Sequence, residues 1–418
     1  MKKQSLIALM GLIFSVSPKL VYADGTAAPA ADANKPTLET ILTNSGITDK
    51  EYIDASYIGH NQTPNTNIQV IDPTKSSFGL HQLGVVIAKQ PKEGFGGLVN
   101  VIAGSDAGVI CSYGICTNNT AQPFSGGSLA LPQAFIQYAK GDWTTILGKF
   151  PSLAGAESFD STLNTNMTRS ILYNHQPFTH TGIRIANALT SSTTLTVGVN
   201  NGWDQATAQT GSKTFELALN ETFTPDTSLV ASIYSGAEAM PQVGGTYSPG
   251  NISPVTYTTN TIGGSALLPT NGGRSGLRNI YDTVFTTNLT SQTTFIVDAD
   301  YVTQQNAALS INTVGTETYW GIAAYLNHQF NDQYRVSLRA EQLRDEQGVA
   351  IAYSGGGTPL GANTVREVTV TLGYAPIKNF ELRTELRADR ADNPIFGTSN
   401  GSLTQNMLTY GMQGIYKF

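Results

Sequence analysis

The sequence is short of charge. Asp, Glu, Lys and Arg make up 13% of its 418 residues, where a soluble globular protein carries about a quarter. It has only 2 cysteines, 5 histidines and 3 tryptophans, which excludes a disulfide-dense scaffold and leaves little material for a metal centre. Basic residues are outnumbered, 24 to 30, for a net charge of −6. A nucleic-acid partner is therefore not expected, because it would demand a basic surface. Beyond the N-terminus no apolar run approaches the roughly 20 residues of a membrane-crossing helix. Helical periodicity is also scarce: one short candidate lies at 38–43.

The N-terminus itself carries a signal. MKKQSLIALMGLIFSVSPKLVYA opens on Lys2 and Lys3, runs apolar from Leu6 to Val16, and closes on Val21-Tyr22-Ala23. That is a secretory leader with cleavage expected after Ala23. Residues 1–23 are read as the signal peptide, and 24–50 as a periplasmic segment whose DGTAAPAADANK stretch has linker composition. Export implies an oxidising compartment, so Cys111 and Cys116 of CSYGIC are expected to form a short disulfide.

From 51 to 418 the pattern is strand, turn, strand. In NFELRTELRADR (379–390), Phe380, Leu382, Thr384, Leu386 and Ala388 occupy every second position, while Glu381, Arg383, Glu385, Arg387 and Asp389 fill the gaps. A period of two is a strand with one apolar and one charged face. YRVSLRAE (334–341), FIVDADY (295–301) and FELALN (215–220) repeat that parity. About sixteen such segments are readable. Tight-turn links such as KGDW, TPDT and NDQ alternate with long ones at about 61–77, 104–130, 151–179, 202–212, 240–276, 305–317, 346–362 and 391–406. The fold class expected is all-β: a transmembrane antiparallel up-and-down barrel of about 16 strands, with short periplasmic turns and long extracellular loops. A large β-sandwich is the competing fold. The chain ends on Phe418, in parity with Tyr416, Met412, Tyr410 and Leu408; this is similar to the terminal signal that outer-membrane assembly machinery reads. Such a barrel would have lipid outside, a polar lumen inside, and room for water.

The link 151–179 contains Met167 and Ile171-Leu172-Tyr173, apolar residues out of place on a free outer loop. It is expected to fold inward and narrow the lumen. Its acids Glu157 and Asp160 would then face a wall carrying Arg335, Arg339, Arg383 and Arg387, tempered by Glu341, Glu381 and Glu385. Those residues are the expected pore-lining and selectivity set. Neither catalytic residues nor a metal or cofactor are assigned. His175 and His180 are spaced poorly for one face and have Pro177 between them, and Ser170 with His175 lacks a third partner.

GKFPSLAGAE, TRSILYNHQPFTHTGIRI and VGVNNGWD follow one another in this order. Together they resemble the OmpL-like β-barrel porins. The matching residues are Gly148, Lys149, Phe150, Gly155, Glu157, Arg169, Ser170, Pro177, Phe178, His180, Gly182, Arg184, Asn201, Gly202, Trp203 and Asp204. The resemblance is strongest over 143–204 and implies a channel in the outer membrane of a Gram-negative bacterium, passing small hydrophilic solutes and ions, with no named solute. Oligomerisation stays open. Two other readings stand beside it: an adhesin or receptor barrel acting through its long loops, and an outer-membrane barrel enzyme.

Overall fold

A computed structural model describes residues 42, 44–65, 67–71, 76–112, 114–115, 128–208, 211–239, 275–310, 313–351 and 361–418. The expected signal peptide, residues 24–41 and 43 of the expected segment 24–50, and Cys116 lie outside these residues, while 48–50 belong to the first strand. Cys111 is disulfide-bonded.

Residues Gly46–Phe418 form one compact unit. Its strands are β1 (Thr48–His60), β2 (Ser76–Lys89), β3 (Gly94–Ala103), β4 (Leu129–Lys140), β5 (Trp143–Pro151), β6 (Thr179–Ala188), β7 (Thr193–Asn200), β8 (Thr214–Thr224) and β9 (Thr227–Ala239). The second half adds β10 (Ser275–Thr290), β11 (Thr293–Ser310), β12 (Thr313–Gln329), β13 (Tyr334–Asp345), β14 (Asn363–Ile377), β15 (Phe380–Ala391), the two-residue β16 (Phe396–Gly397) and β17 (Leu403–Thr404), and β18 (Asn406–Lys417). All but β16 and β17 pair with their sequence neighbours in a closed barrel of 16 strands. The ring is shut by β1 against β18, in register from Tyr52↔Lys417 to His60↔Thr409. Closure leaves no free sheet edge, which a bilayer requires of any strand that crosses it.

The period of two sorts the side chains as expected. On β15 Leu386 is 53% exposed, while the Arg387 beside it is fully buried. On β13 Leu338 is exposed, and Ser337, Arg339 and Glu341 are buried inside. Phe78, Phe95, Phe215, Leu372 and Phe418 belong to the same outward apolar set. Aromatic pairs mark both ends of the outer surface: Tyr57 with Phe78 at 4.8 Å, and Tyr334 stacked on Tyr374 at 4.9 Å. This is the aromatic flanking typical of a lipid-facing band. No helix among the described residues is long and apolar enough to cross a membrane.

One link departs from expectation. The stretch 305–317 is largely strand, because β11 and β12 continue to Ser310 and from Thr313. Ala307↔Gly315 and Ala308↔Val314 prolong the ladder past an irregularity at Asn306, whose φ is 59°. Backbone pairing needs no large apolar side chains, so QQNAALSINTVG can extend a hairpin without showing an apolar face.

Candidate functional site

Residues 152–178 leave β5, enter the lumen and return to β6. The reason is written in their side chains. Ile171 and Leu172 have no exposed surface and join Trp203, Tyr234, Tyr319, Ala323 and Leu343 in one buried cluster. Burying each contributes about 1.5–3 kcal/mol. Leu172 packs so closely on β12 that a Cβ on Gly321 would lie 2.6 Å from its Cδ1. Two short 3₁₀ turns, Ser161–Leu163 and Tyr173–His175, shape the loop. Asp160 Oδ1 caps the first by accepting from Thr162 N–H at 2.9 Å. Ser170 Oγ accepts from Tyr173 N–H at 2.9 Å.

A loop with little regular structure has backbone groups that must find partners. The lumen wall supplies them. Glu341 on β13 accepts the Ile171 and Leu172 N–H groups at 2.7 and 3.2 Å. Glu385 on β15 accepts those of Met167 and Thr168 at 2.6 and 2.9 Å. Arg387 donates to Arg169 O at 2.6 Å, Arg383 to Ser161 O at 3.3 Å, and Arg335 to Thr165 O at 2.7 Å. Arg335 and Arg383 both pair with Glu381, at 2.6 and 2.8 Å. Arg339 is the centre of the group. It meets Glu157 of the loop at 2.8 Å, Glu367 of β14 at 2.9 Å and Glu341 at 3.7 Å, with no exposed side-chain surface. Asp160 pairs with Lys50 of β1 at 2.7 Å.

The residues expected to line a constriction are thus brought together, but in contact. Glu157 and Arg339 form a clasp with no gap between them, because an inward loop has to satisfy its polar atoms on whichever wall it reaches. Glu341, Glu381 and Glu385 do more than temper the arginines, since two of them hold the loop's backbone.

The opposite flank of the loop rests on acids. Gly155 N–H donates to Asp282 on β10 at 3.1 Å, and Ala156 N–H to Asp298 on β11 at 3.0 Å. Gln176 Nε2 donates to Asp300 at 2.5 Å. Gly155 has φ +89°, and a Cβ there would come within 2.0 Å of Gln176 Oε1. Only glycine fits both the backbone and the space.

The other motif residues build the root of this loop. Asp204 accepts from Phe178 and Thr179 N–H at 3.1 and 2.8 Å, tying the β7–β8 connection to the point where the loop rejoins the barrel. Phe178 stacks on Tyr173 at 4.6 Å, across Pro177. Lys149 donates to Thr179 Oγ1 at 2.6 Å. His180 stacks on Tyr234 at 4.5 Å, and the Arg184 guanidinium lies 4.3 Å from the Phe150 ring centre while pairing with Glu216 at 2.6 Å. Trp203 is fully buried beneath Arg278 at 4.7 Å. Asn201 donates to Ala206 O at 3.0 Å, and Gly202 takes φ 115°. Gly182 faces the β7 backbone, where a Cβ would lie 2.1 Å from Val199 O. Arg169 donates to Ser158 O at 3.1 Å. Burial pushes the His175 imidazole below its ordinary range; Nδ1 lies 2.8 Å from Ile171 O and Nε2 3.3 Å from Ala350 O, and the single N–H of the neutral ring can donate to one of these carbonyls at a time.

Sequence reading missed several groups. Lys50, Gln176, Asp282 and Glu367 sit on the inward parity of their strands or loop, but one inward polar residue looks like another until the loop is placed. It also missed a relay: Ser56 Oγ lies 2.7 Å from His81 Nε2, and His81 Nδ1 lies 2.7 Å from Asp106 Oδ1. His81 occupies the register shift between β1 and β2 at Asp54/Ala55. Asp106 also accepts from Gln82 at 2.8 Å, and all three relay residues are buried. The relay pins the bulge and the start of the short helix α1 (Ala107–Ile110).

Residues 47–418 match the model of the family described as "Putative beta-barrel porin-2, OmpL-like". No curated protein matches the chain. Among solved structures, the outer membrane channel DcaP of Acinetobacter baumannii is similar, with 14% identity and a TM-score of 0.56 over 89% of this chain and 97% of that one. Pseudomonas putida OprB has 11% identity and a TM-score of 0.55 over 91% and 96%. The anion-selective porin from Comamonas acidovorans has 9% identity and a TM-score of 0.54 over 89% and 99%. At these identities the likeness is one of fold.

Proposed function

This chain belongs to the OmpL-like β-barrel porin family, and from that premise we propose that it conducts small hydrophilic solutes and ions across a Gram-negative outer membrane by diffusion. The loop 151–179 narrows the path. The observation that carries the reading is the lumen itself: a 16-strand ring whose inward positions are largely charged or polar, apart from the apolar patch that seats the loop, and whose outward positions are largely apolar. A sealed structural barrel would have no need of arginine–carboxylate networks inside; filling with apolar side chains costs less. Selectivity then comes from the width left beside the docked loop and from the net charge along it. Since Arg339 is paired with acids on several sides, the lumen's ion preference should be modest. The solute's chemistry is limited to what fits and is hydrated. Residues 1–23 direct export, Phe418 is recognised during assembly, and the outer surface meets lipid.

Reconstitution in a planar bilayer tests this. Discrete, ohmic conductance steps are expected. A folded barrel that binds a surface partner but never conducts would favour the adhesin or receptor reading. No observation favours a barrel enzyme strongly enough to make it a second proposal: the Ser56 relay is buried, and its interactions serve the bulge.

A further inference from the structure

The lumen's charges stand where the loop docks, and part of its wall is bare of them. On β5 to β11, the inward positions between the loop and the short turns hold no charged side chain. Residues 143–147, 185–196 and 283–297 contain none at all. In 217–232, Glu221 follows the outward parity of Leu217 and Leu219, and Asp226 lies in the turn between β8 and β9. Apolar and hydroxyl groups fill the inward positions instead. Val230 and Val284 are direct cross-strand partners, as are Ser228 and Thr286 beside them. Val284 follows the inward Asp282 by two residues, and Ile296 precedes the inward Asp298 by two. All five are only half-buried, so part of each faces the open lumen.

The loop presents an apolar group of its own. Leu163 is 66% exposed, while Phe159, Met167, Ile171 and Leu172 of the same loop are buried. Its surface cannot turn to lipid, because the turn Ser161–Leu163 is held by side chains that point into the barrel. Lys50 of β1 donates to Thr162 Oγ1 at 2.6 Å, Arg383 of β15 to Ser161 O at 3.3 Å, and Arg335 of β13 to Thr165 O at 2.7 Å. Lys50 and Arg335 lie within three residues of the short-turn ends of their strands. The turn therefore sits near the periplasmic mouth of the lumen. Single exposed apolar side chains are ordinary on a protein's outer surface. One fastened inside a lumen by three charged side chains stands in the path.

Given the channel reading above, we infer that the path beside the docked loop takes uncharged hydrophilic solutes that carry an apolar face, and that Leu163 is a specificity-determining contact for them. An ion meets no fixed countercharge along the bare wall and gains nothing there. A solute with an apolar face sheds water against Val230, Val284, Ile296 and Leu163. Its hydroxyls stay hydrated or bond to Ser228 and Thr286. Each methylene so covered shifts partition into the lumen by about fourfold.

The test records ion current through single channels of the full-length chain in a planar bilayer, with phenyl β-D-glucoside or maltose added. Maltose is of similar size and carries a second sugar ring where the glucoside has its phenyl group. Phenyl β-D-glucoside is expected to halve the current at a concentration about fourfold or more below that of maltose. Leu163→Ser, which alters an exposed side chain, should raise the glucoside's half-blocking concentration about 4- to 16-fold, the worth of one to two methylenes. It should leave the maltose block and the reversal potential in a salt gradient unchanged, since no charge is altered. Val284→Thr, which keeps the side chain's shape, should weaken the glucoside block in the same direction. Equal block by the two solutes, or a glucoside block that Leu163→Ser leaves unchanged, would overturn the inference while the channel reading stands. Folded barrels that insert without conducting would overturn both.

Discussion

Replacing Arg339 by Gln should free the loop from its wall. The Arg339 guanidinium has no exposed side-chain surface and touches Glu157, Glu341 and Glu367 at 2.8, 3.7 and 2.9 Å. It also donates to Thr168 O at 2.7 Å. Glutamine cannot balance three carboxylates. While the loop stays docked they remain buried, and releasing it lets water reach them, so the cost falls on the docked state. Removing one partner of a buried charged group costs about 3–5 kcal/mol. At about 1.4 kcal/mol per factor of ten, the released population rises about 140- to 3,700-fold. Arg169 offers a reporter, because it lies in the loop and is 5% exposed in the folded barrel. Trypsin can cut after it only once the loop opens. Where opening and closing outpace cleavage, the cleavage rate follows the open population. The assay is the rate of appearance of the fragment ending at Arg169, measured on barrels that still run as folded on unheated gels. Glu157→Gln on the Arg339→Gln background should recover part of the loss, since it removes one unpaired acid. A folded Arg339→Gln barrel cut at the wild-type rate would show that the loop does not depend on Arg339 for its place.

Other perturbations probe separate joints of the same structure. Gly155→Ala should raise the same tryptic cleavage, because its φ of +89° and the Gln176 Oε1 contact leave no place for a methyl group; an unchanged rate would show that Gln176 moves aside freely. Cys111→Ser should cost less than the roughly 3 kcal/mol of a fifteen-residue disulfide loop, leaving the gel migration of the folded barrel unchanged; collapse of the barrel would contradict this. Asp204→Ala should loosen Phe178 and Thr179, whose N–H groups it caps at 3.1 and 2.8 Å, read as faster hydrogen exchange there and unchanged exchange in β13. Ser56 should stay unlabelled by a fluorophosphonate probe, since its relay is buried; labelling would revive the enzyme reading.

The barrel was legible because its determinant is local. Alternation in 380–390 and 334–341 states which face meets lipid, and a one-residue slip would turn Arg339, Arg383 and Arg387 outward together. The inward course of 151–179 was also legible, since Met167, Ile171 and Leu172 need cover. The partners of the loop were not. Glu367 is one inward acid among many, and only the pairing Glu341↔Glu367 across β13 and β14 brings it to Arg339. Asp282 meets Asp300 through a register that no single strand encodes. The Ser56 relay depends on a bulge, where one extra residue re-aims His81. The hairpin at 305–317 hid because its ladder is carried by backbone atoms and small residues.

On the proposed function, a water path crosses this barrel beside a docked loop. Single-channel recording on the purified full-length chain in a planar bilayer tests it most directly, with Arg339→Gln in parallel. Wild-type barrels should give discrete ohmic steps, and Arg339→Gln, whose loop no longer holds its place, larger or noisier ones. Folded barrels of both proteins that insert yet leave the bilayer at baseline conductance would contradict it.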